Sequence, residues 1–153
     1  MAQATPRRIT VIDDHSEFLG LMRELLSASY EVRTFTGREI SPDDILESRP
    51  DLLIVDLRLD RRDLQGWDVV TLVRAHRHLR RVPIIVCSAD TGALADRSEA
   101  MLRAGNIAAL AKPFNIAELD ETVRLGLAGG FADPLAPARD VVSPLPDATP
   151  AQA

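Results

Sequence analysis

Five polar side chains close apolar runs in this chain, and together they define a chemistry. Asp13 and Asp14 follow ITVI, Asp56 ends LLIVD, Ser88 ends VPIIVCS and Lys112 ends IAALAK. Three carboxylates drawn together repel one another, so a fold that gathers them must raise their pKa values or recruit a cation. Mg2+ suits such a site: it takes hard oxygen ligands, keeps several waters and commonly uses one or two carboxylates with a phosphate oxygen. Zinc would call for a Cys/His ligand set that is missing here. An aspartate in these surroundings can act as a nucleophile and give an aspartyl phosphate. The phosphoryl group in transit spreads charge over its equatorial oxygens, which need positive partners fixed in advance. The cation serves one oxygen, Lys112 a second, and the Ser88 hydroxyl can donate to a third. Lys112 is the only lysine, every other basic residue being arginine.

These residues meet only if the runs they close are parallel neighbours. Short aliphatic runs alternate with segments of helical period, the pattern of repeated βα units. Five strands are expected, at 9–13, 30–35, 52–56, 82–88 and 107–112. The first, third and fourth are apolar almost throughout, as strands covered on both faces are, whereas YEVRTF alternates like an edge strand. In a parallel sheet every strand ends at the same edge, where ligands bind. Four separate parts of the chain therefore deliver polar groups to one rim.

Helix signals fit between the strands. Ser41, Pro42, Asp43 and Asp44 provide an N-cap, a first-turn proline and two acids at the positive end of the helix dipole. Asn115 and Glu118 form a capping-box pattern, with Ile116, Leu119, Val123 and Leu127 on one face. Phe18, Leu21, Met22, Leu25 and Leu26 give the first helix its face. The helix after Thr91 is less apolar and is expected to be more exposed or mobile. Trp67 reads as a helix residue packed on the sheet.

At 153 residues the chain holds one ordinary domain, and a formal charge of -5 argues against direct nucleic-acid binding. Aromatics are only 4% of residues, so the core is aliphatic. Cys87 is the single cysteine and no intrachain disulfide is possible. With neither a secretory signal nor a membrane span in view, the expected compartment is cytoplasmic.

The series Asp13-Asp14, Asp56, Ser88-Ala89 and Lys112-Pro113-Phe114, in that order on those strand ends, resembles the receiver domain of bacterial two-component response regulators. The resemblance covers roughly residues 7–127. It implies an α/β fold, a three-layer doubly wound (βα)5 sandwich around a five-stranded parallel sheet of order 2-1-3-4-5, flavodoxin-like. It implies that Asp56 is the phosphoacceptor, Lys112 pairs with the phosphoryl group and Ser88 senses it. The metal, Mg2+ with Mn2+ as a substitute, would be held by Asp14 directly, Asp13 through water, Asp56, and the backbone carbonyl of Arg58. The implied donor is a histidine kinase or histidine phosphotransfer protein. The expected output is a switched interaction with a downstream protein target, with no direct contact to nucleic acid or membrane, from a monomer or weak homodimer.

Three departures bear on function. Receivers usually carry Tyr or Phe three residues before the lysine as a rotamer switch, where this chain has Ala109. That favours an alternative, a phosphate shuttle or sink with little conformational output. After the acceptor the family has proline at the fourth residue and glycine at the eighth, whereas here Asp60 and a later Gly66 give a longer, charged loop. Arg58 and Asp90 stand where receivers tune phosphoryl lifetime. A phosphohydrolase would carry an acid at position 58, and arginine there argues against small-molecule turnover.

The remaining polar residues take plainer expectations. His15 reads as a solvated helix-start histidine, although it could lean over the site. His76 and His78, taken as helical, point about 200° apart and cannot share a metal. Arg74, Arg77, Arg80 and Arg81 read as a solvated helix end. Residues 128–153, rich in proline and alanine, read as a disordered tail, with a docking motif on Phe131, Leu135, Val141 and Val142 as the sharper alternative.

Overall fold

A computed structural model describes residues 5–131. The elements run β1 (Arg8–Ile12), α1 (Ser16–Leu26), β2 (Glu31–Phe35), α2 (Pro42–Ser48), β3 (Leu52–Asp56), α3 (Gly66–Ala75), β4 (Ile84–Ser88), α4 (Thr91–Asp96), α5 (Ser98–Ala104), β5 (Ile107–Ala111) and α6 (Ile116–Gly129). All strand pairs are parallel and the sheet order is β2-β1-β3-β4-β5. This is the doubly wound, flavodoxin-like arrangement expected from the sequence. β3 and β4 are buried along their whole length, while β2 and β5 alternate as edge strands do.

Alternate residues of each strand feed two cores. On one side Ile12, Leu53, Val55, Ile84 and Val86 pack with Ile45 of α2, Val69, Val70 and Val73 of α3, Leu94 of α4 and Met101 of α5. On the other, Ile9, Val11, Leu52, Ile54, Ile85, Cys87 and Leu110 pack with Leu19, Met22 and Leu26 of α1 and Leu119 and Val123 of α6. Each buried aliphatic side chain contributes about 1.5–3 kcal/mol. The sheet is thereby a rigid frame, and its carboxyl edge is held in register by the β3–β4 and β4–β5 ladders.

Caps start the helices where the sequence signals them. Ser41 Oγ accepts from the N–H of Asp44, and the Asp44 carboxylate accepts from the N–H of Ser41. Asn115 and Glu118 make the same reciprocal pair at 2.7 and 2.9 Å. A third box, Gln65 with Asp68, opens α3.

Several local expectations are corrected. The helix after Thr91 is two helices, broken at Arg97; Ser98 Oγ donates to Ala95 O and Arg97 N–H closes on Leu94 O. Such local bonds compete with helix continuation. Ile116 is 63% exposed and Leu21 49%, so neither lies on the buried face of its helix. His76 and His78 are not helical, because α3 stops at Ala75, and their rings stand 5.6 Å apart in the following turn. Arg74 is not part of a solvated end: its guanidinium donates to the carbonyls of Val82, Gly105 and Asn106 at 2.8–3.2 Å. Burial pushes its pKa down to about 10. Phe131 is buried against the α6 side of the sheet, and its N–H donates to Asn106 Oδ1 at 2.6 Å. Packing thus reaches past residue 127. Leu135, Val141 and Val142 lie outside the described residues.

Candidate functional site

The carboxyl ends of β1, β3, β4 and β5 bring Asp13, Asp56, Ser88 and Lys112 to one edge. Asp13 and Asp56 are buried, and Lys112 is mostly so. Lys112 Nζ donates to Asp13 Oδ2 at 2.7 Å and to Asp56 Oδ2 at 2.9 Å, one ammonium between two carboxylates. Lys112 Nζ lies over the face of Phe18, 4.1 Å from its ring centroid, and Phe18 meets Phe114 edge to face. Cation–π attraction adds to the two carboxylates in holding the ammonium.

The other oxygens of the pair are held by backbone. Asp13 Oδ1 accepts from the N–H of His15, and Asp56 Oδ1 from the N–H of Arg58, each at 2.9 Å. Burial pushes the Asp13 carboxyl up, but the Lys112 bond and charge and the His15 N–H outweigh it and leave the pKa below the usual carboxylate range. For Asp56 burial wins, assisted by the negative charge of Asp13, and the pKa is raised despite Lys112 and Arg58. Desolvation lowers Lys112, yet its bonds to both acids raise its pKa overall. One ammonium does not neutralise two buried carboxylates, and Asp56 carries the excess.

Asp14 is placed differently. Its Oδ2 accepts from the N–H of Asp60, in the long loop after β3, and its Oδ1 is buried without a partner. The carboxylate packs at the β2–α2 turn, where a Cβ on Gly37 would approach Asp14 Oδ1 to 2.9 Å. Asp14 lies outside the group of Asp13, His15 and Asp56, whose potential ligand atoms are all within 4.8 Å of one another. Asp14 Oδ1, a buried anionic oxygen with no donor, and the two acids that share one ammonium are hard oxygen donors of the kind a divalent cation takes.

Around the acids, Ser88 Oγ accepts from the N–H of Asp90 at 3.0 Å, leaving its proton free to donate. Arg58 Nη2 reaches Asp90 Oδ2 at 3.0 Å. The charged loop is ordered by its own side chains. Arg61 donates to Gly37 O and Ile40 O and pairs with Asp63, while the Gln65 amide bonds Leu59 N–H and O and Arg61 O. Gly66 is required where the loop closes, since a Cβ there would lie 2.1 Å from Asp56 O. His15 was undervalued in sequence: its ring is exposed, as expected, but Nδ1 stands 3.1 Å from Asp13 Oδ1. Its position directly after the acid pair was the available signal.

Residues 9–124 match the response regulator receiver domain. The chain belongs to that family. Among curated relatives it is similar to the transcriptional regulatory protein PrrA of Mycobacterium tuberculosis, 36% identical over 121 residues, covering 78% of this chain and 49% of PrrA. PdtaR of the same species is 30% identical over 126 residues, covering 81% of this chain and 58% of PdtaR. The chain thus spans about half the length of the curated relatives it matches. Among solved structures, a putative response regulator from Chloroflexus aurantiacus aligns with a TM-score of 0.65 and 29% identity, covering 81% of this chain and 99% of the other. The receiver domain of the sensor histidine kinase PA1611 of Pseudomonas aeruginosa, whose structure holds a magnesium ion in its active site cleft, aligns at 0.64 and 28%, covering 81% and 99%. Vibrio cholerae CheY4, at 0.68 and 23%, supports the fold. Receiver domains are signalling domains of two-component systems, bind Mg2+ at an acidic site and work with histidine kinases and downstream targets. No helix among the described residues of this receiver is long and apolar enough to cross a membrane.

Proposed function

We propose that this receiver takes a phosphoryl group onto Asp56 in a reaction that depends on Mg2+, and that the modified protein changes its interaction with a protein partner. The observation that carries this is Lys112 Nζ within hydrogen-bond distance of both Asp13 and Asp56. The donor is a phosphohistidine on a kinase or a phosphotransfer protein. An Asp56 oxygen attacks phosphorus, the bond between phosphorus and the donor nitrogen breaks, and the released imidazole takes its proton from water.

Asp13, Asp14 and Asp56, with the carbonyl of Arg58, are the groups that would hold the cation. When bound, Mg2+ supplies positive charge to the phosphoryl oxygens. Lys112 is already beside Asp56 and moves its second bond to the new phosphoryl oxygen. Ser88, one strand away, donates its hydroxyl proton. Charged hydrogen bonds of this kind contribute about 1.5–3 kcal/mol each, against about 5.5 kcal/mol for full conversion of a two-state element from 1:99 to 99:1. Two such bonds give about 3–6 kcal/mol and reach that figure only near the upper end.

A second function, a phosphate shuttle or sink, is favoured by Ala109. This residue sits half-buried against the α4–α5 core and has no ring to follow Ser88 inward. Incubation with acetyl phosphate and Mg2+, read by intact mass, tests phosphoacceptance: one added phosphoryl group is expected on the wild type and none on Asp56→Asn. Equal labelling of both rejects Asp56. Beryllofluoride shifts confined to the acidic edge favour the shuttle, and shifts spreading over β5 and α4 favour the switch.

A further inference from the structure

A receiver metal centre made of aspartates and a carbonyl is an all-oxygen site, yet an imidazole stands beside this one. His15 occupies the N-cap of α1, where Ser, Thr, Asp or Asn would accept a bond from the free N–H groups of the first turn. Its side chain makes no capping bond. Instead the backbone N–H of His15 donates to Asp13 Oδ1, and the ring Nδ1 lies 3.1 Å from that same oxygen. Lys112 bonds the other oxygen of each acid, Asp13 Oδ2 and Asp56 Oδ2, so the ammonium and the imidazole attend different oxygens of Asp13.

The spacing approaches that of a coordination shell. Ligands about 2.1 Å from a divalent ion sit about 3.0 Å apart in neighbouring octahedral positions and about 4.2 Å apart in opposite ones. The pair of His15 Nδ1 and Asp13 Oδ1 matches the neighbouring edge, and the set of Asp13, His15 and Asp56 falls within 4.8 Å throughout. The His15 side chain is 76% exposed, so it can turn toward an ion without leaving a packed site. In the neutral ring, exchange with water moves the proton to Nε2 and frees Nδ1 to coordinate, with no net proton released.

We propose that His15 supplies a nitrogen ligand to the divalent cation of this site and shifts its preference from Mg2+ toward later first-row ions. This rests on the acidic edge being the cation site of the phosphoacceptor. Imidazole binds Mn2+ less tightly than Ni2+ or Zn2+ but still coordinates it, while Mg2+ favours oxygen. Removing His15 therefore weakens nickel binding and leaves magnesium binding nearly as it was.

The experiment uses the full chain without an affinity tag, carrying His76→Ala and His78→Ala. The chain has three histidines, so His15 is then the only imidazole, and the neighbouring pair in the turn after α3 can no longer take up the same ions. Calorimetric titration with Ni2+ and Mg2+ compares this protein with versions that also carry His15→Ala or His15→Gln. Loss of about 10–100-fold in nickel affinity is expected, with magnesium affinity changed less than about twofold. Pulsed EPR of the Ni2+-free, Mn2+-loaded protein is expected to show 14N modulation that disappears in His15→Ala. Equal changes for both ions, or a nitrogen signal that is missing from the start or survives His15→Ala, overturn the proposal. Mg2+-dependent labelling by acetyl phosphate, scored on the same samples, separates the two ideas: labelling without the nitrogen signal removes the His15 ligand alone, and the signal without labelling removes the phosphoacceptor alone.

Discussion

Arg58 Nη2 and Asp90 Oδ2 are 3.0 Å apart, joining the loops that follow β3 and β4 two residues beyond Asp56 and Ser88. The other oxygen of Asp90 accepts from the N–H of Ala93 and caps α4. The pair therefore links the loop after Asp56 to the start of α4. An exposed ion pair contributes about 0–1 kcal/mol, whereas a lost N-cap costs about 1 kcal/mol. Asp90→Ala should lower stability to urea by about 1 kcal/mol more than Arg58→Ala. Both should change the decay of the phosphorylated protein by less than about tenfold, measured by loss of the phosphoryl mass with time. Equal stability of the two variants would show that Asp90 does not cap α4 in solution.

The uneven sharing of Lys112 gives a stability signature. Asp56 has a raised pKa, so its ionisation opposes folding: its destabilising effect is absent below about pH 3.8 and complete once the pH exceeds the raised folded value. In Mg2+-free buffer Asp56→Asn should be more stable than the wild type by about 1 kcal/mol at pH 7. That gap should close as the pH falls through the raised pKa toward pH 3.8. Asp13 has the opposite sign. Its lowered pKa adds stability that is present above about pH 3.8 and is lost as the pH falls through the lower folded value, so Asp13→Asn should be less stable at pH 7. Denaturant midpoints across pH 3–8 measure both, and matching behaviour of the two asparagine variants would contradict the assignment.

Lys112→Met removes the one ammonium between the two acids and leaves them buried with only the backbone N–H groups of His15 and Arg58 as donors. Breaking such a group costs about 3–5 kcal/mol, reduced here because Asp56 takes up a proton more readily. The variant should lose about 3 kcal/mol at pH 7 and less at pH 4. Added Mg2+ should restore part of the loss, as read by thermal unfolding. A variant as stable as the wild type without metal would mean that the Lys112 bonds are not formed in solution.

How much of this was visible in the sequence follows from what strand order alone encodes. Parallel pairing fixes which residues end at the carboxyl edge, so Asp13, Asp56, Ser88 and Lys112 could be assembled from pattern alone. Caps such as Ser41 and Asn115 were legible because one short bond in a local frame decides them. The bonding of Asp14 was not, since it depends on the path of the loop after β3, which has no period and is held by Arg61 and Gln65 reaching distant carbonyls. The break at Arg97 was hidden for a related reason: no Gly or Pro marks it, and two local bonds, Ser98 hydroxyl to Ala95 O and Arg97 N–H to Leu94 O, make it. Arg74 looked like a member of a basic run because composition cannot tell a solvated guanidinium from one satisfied by three backbone carbonyls.

Gly66 closes the long loop against β3, which ends in Asp56, and this makes it the most sensitive backbone position near the site. A Cβ there would stand 2.1 Å from Asp56 O and 2.7 Å from Leu57 Cα, both backbone atoms that cannot rotate away. The Gly66 N–H also donates to Leu57 O at 3.1 Å, so the helix start cannot retreat without losing that bond. Overpacking of this kind costs about 1–3 kcal/mol. Gly20, on the exposed side of α1, has open space around its would-be Cβ, and alanine there should stabilise by up to about 1 kcal/mol. Gly66→Ala should therefore lose stability and slow labelling by acetyl phosphate at fixed Mg2+, through displacement of Asp56 and the Arg58 N–H that holds it, while Gly20→Ala should label at the wild-type rate. Normal labelling of a stably folded Gly66→Ala would mean that the loop can shift without moving Asp56.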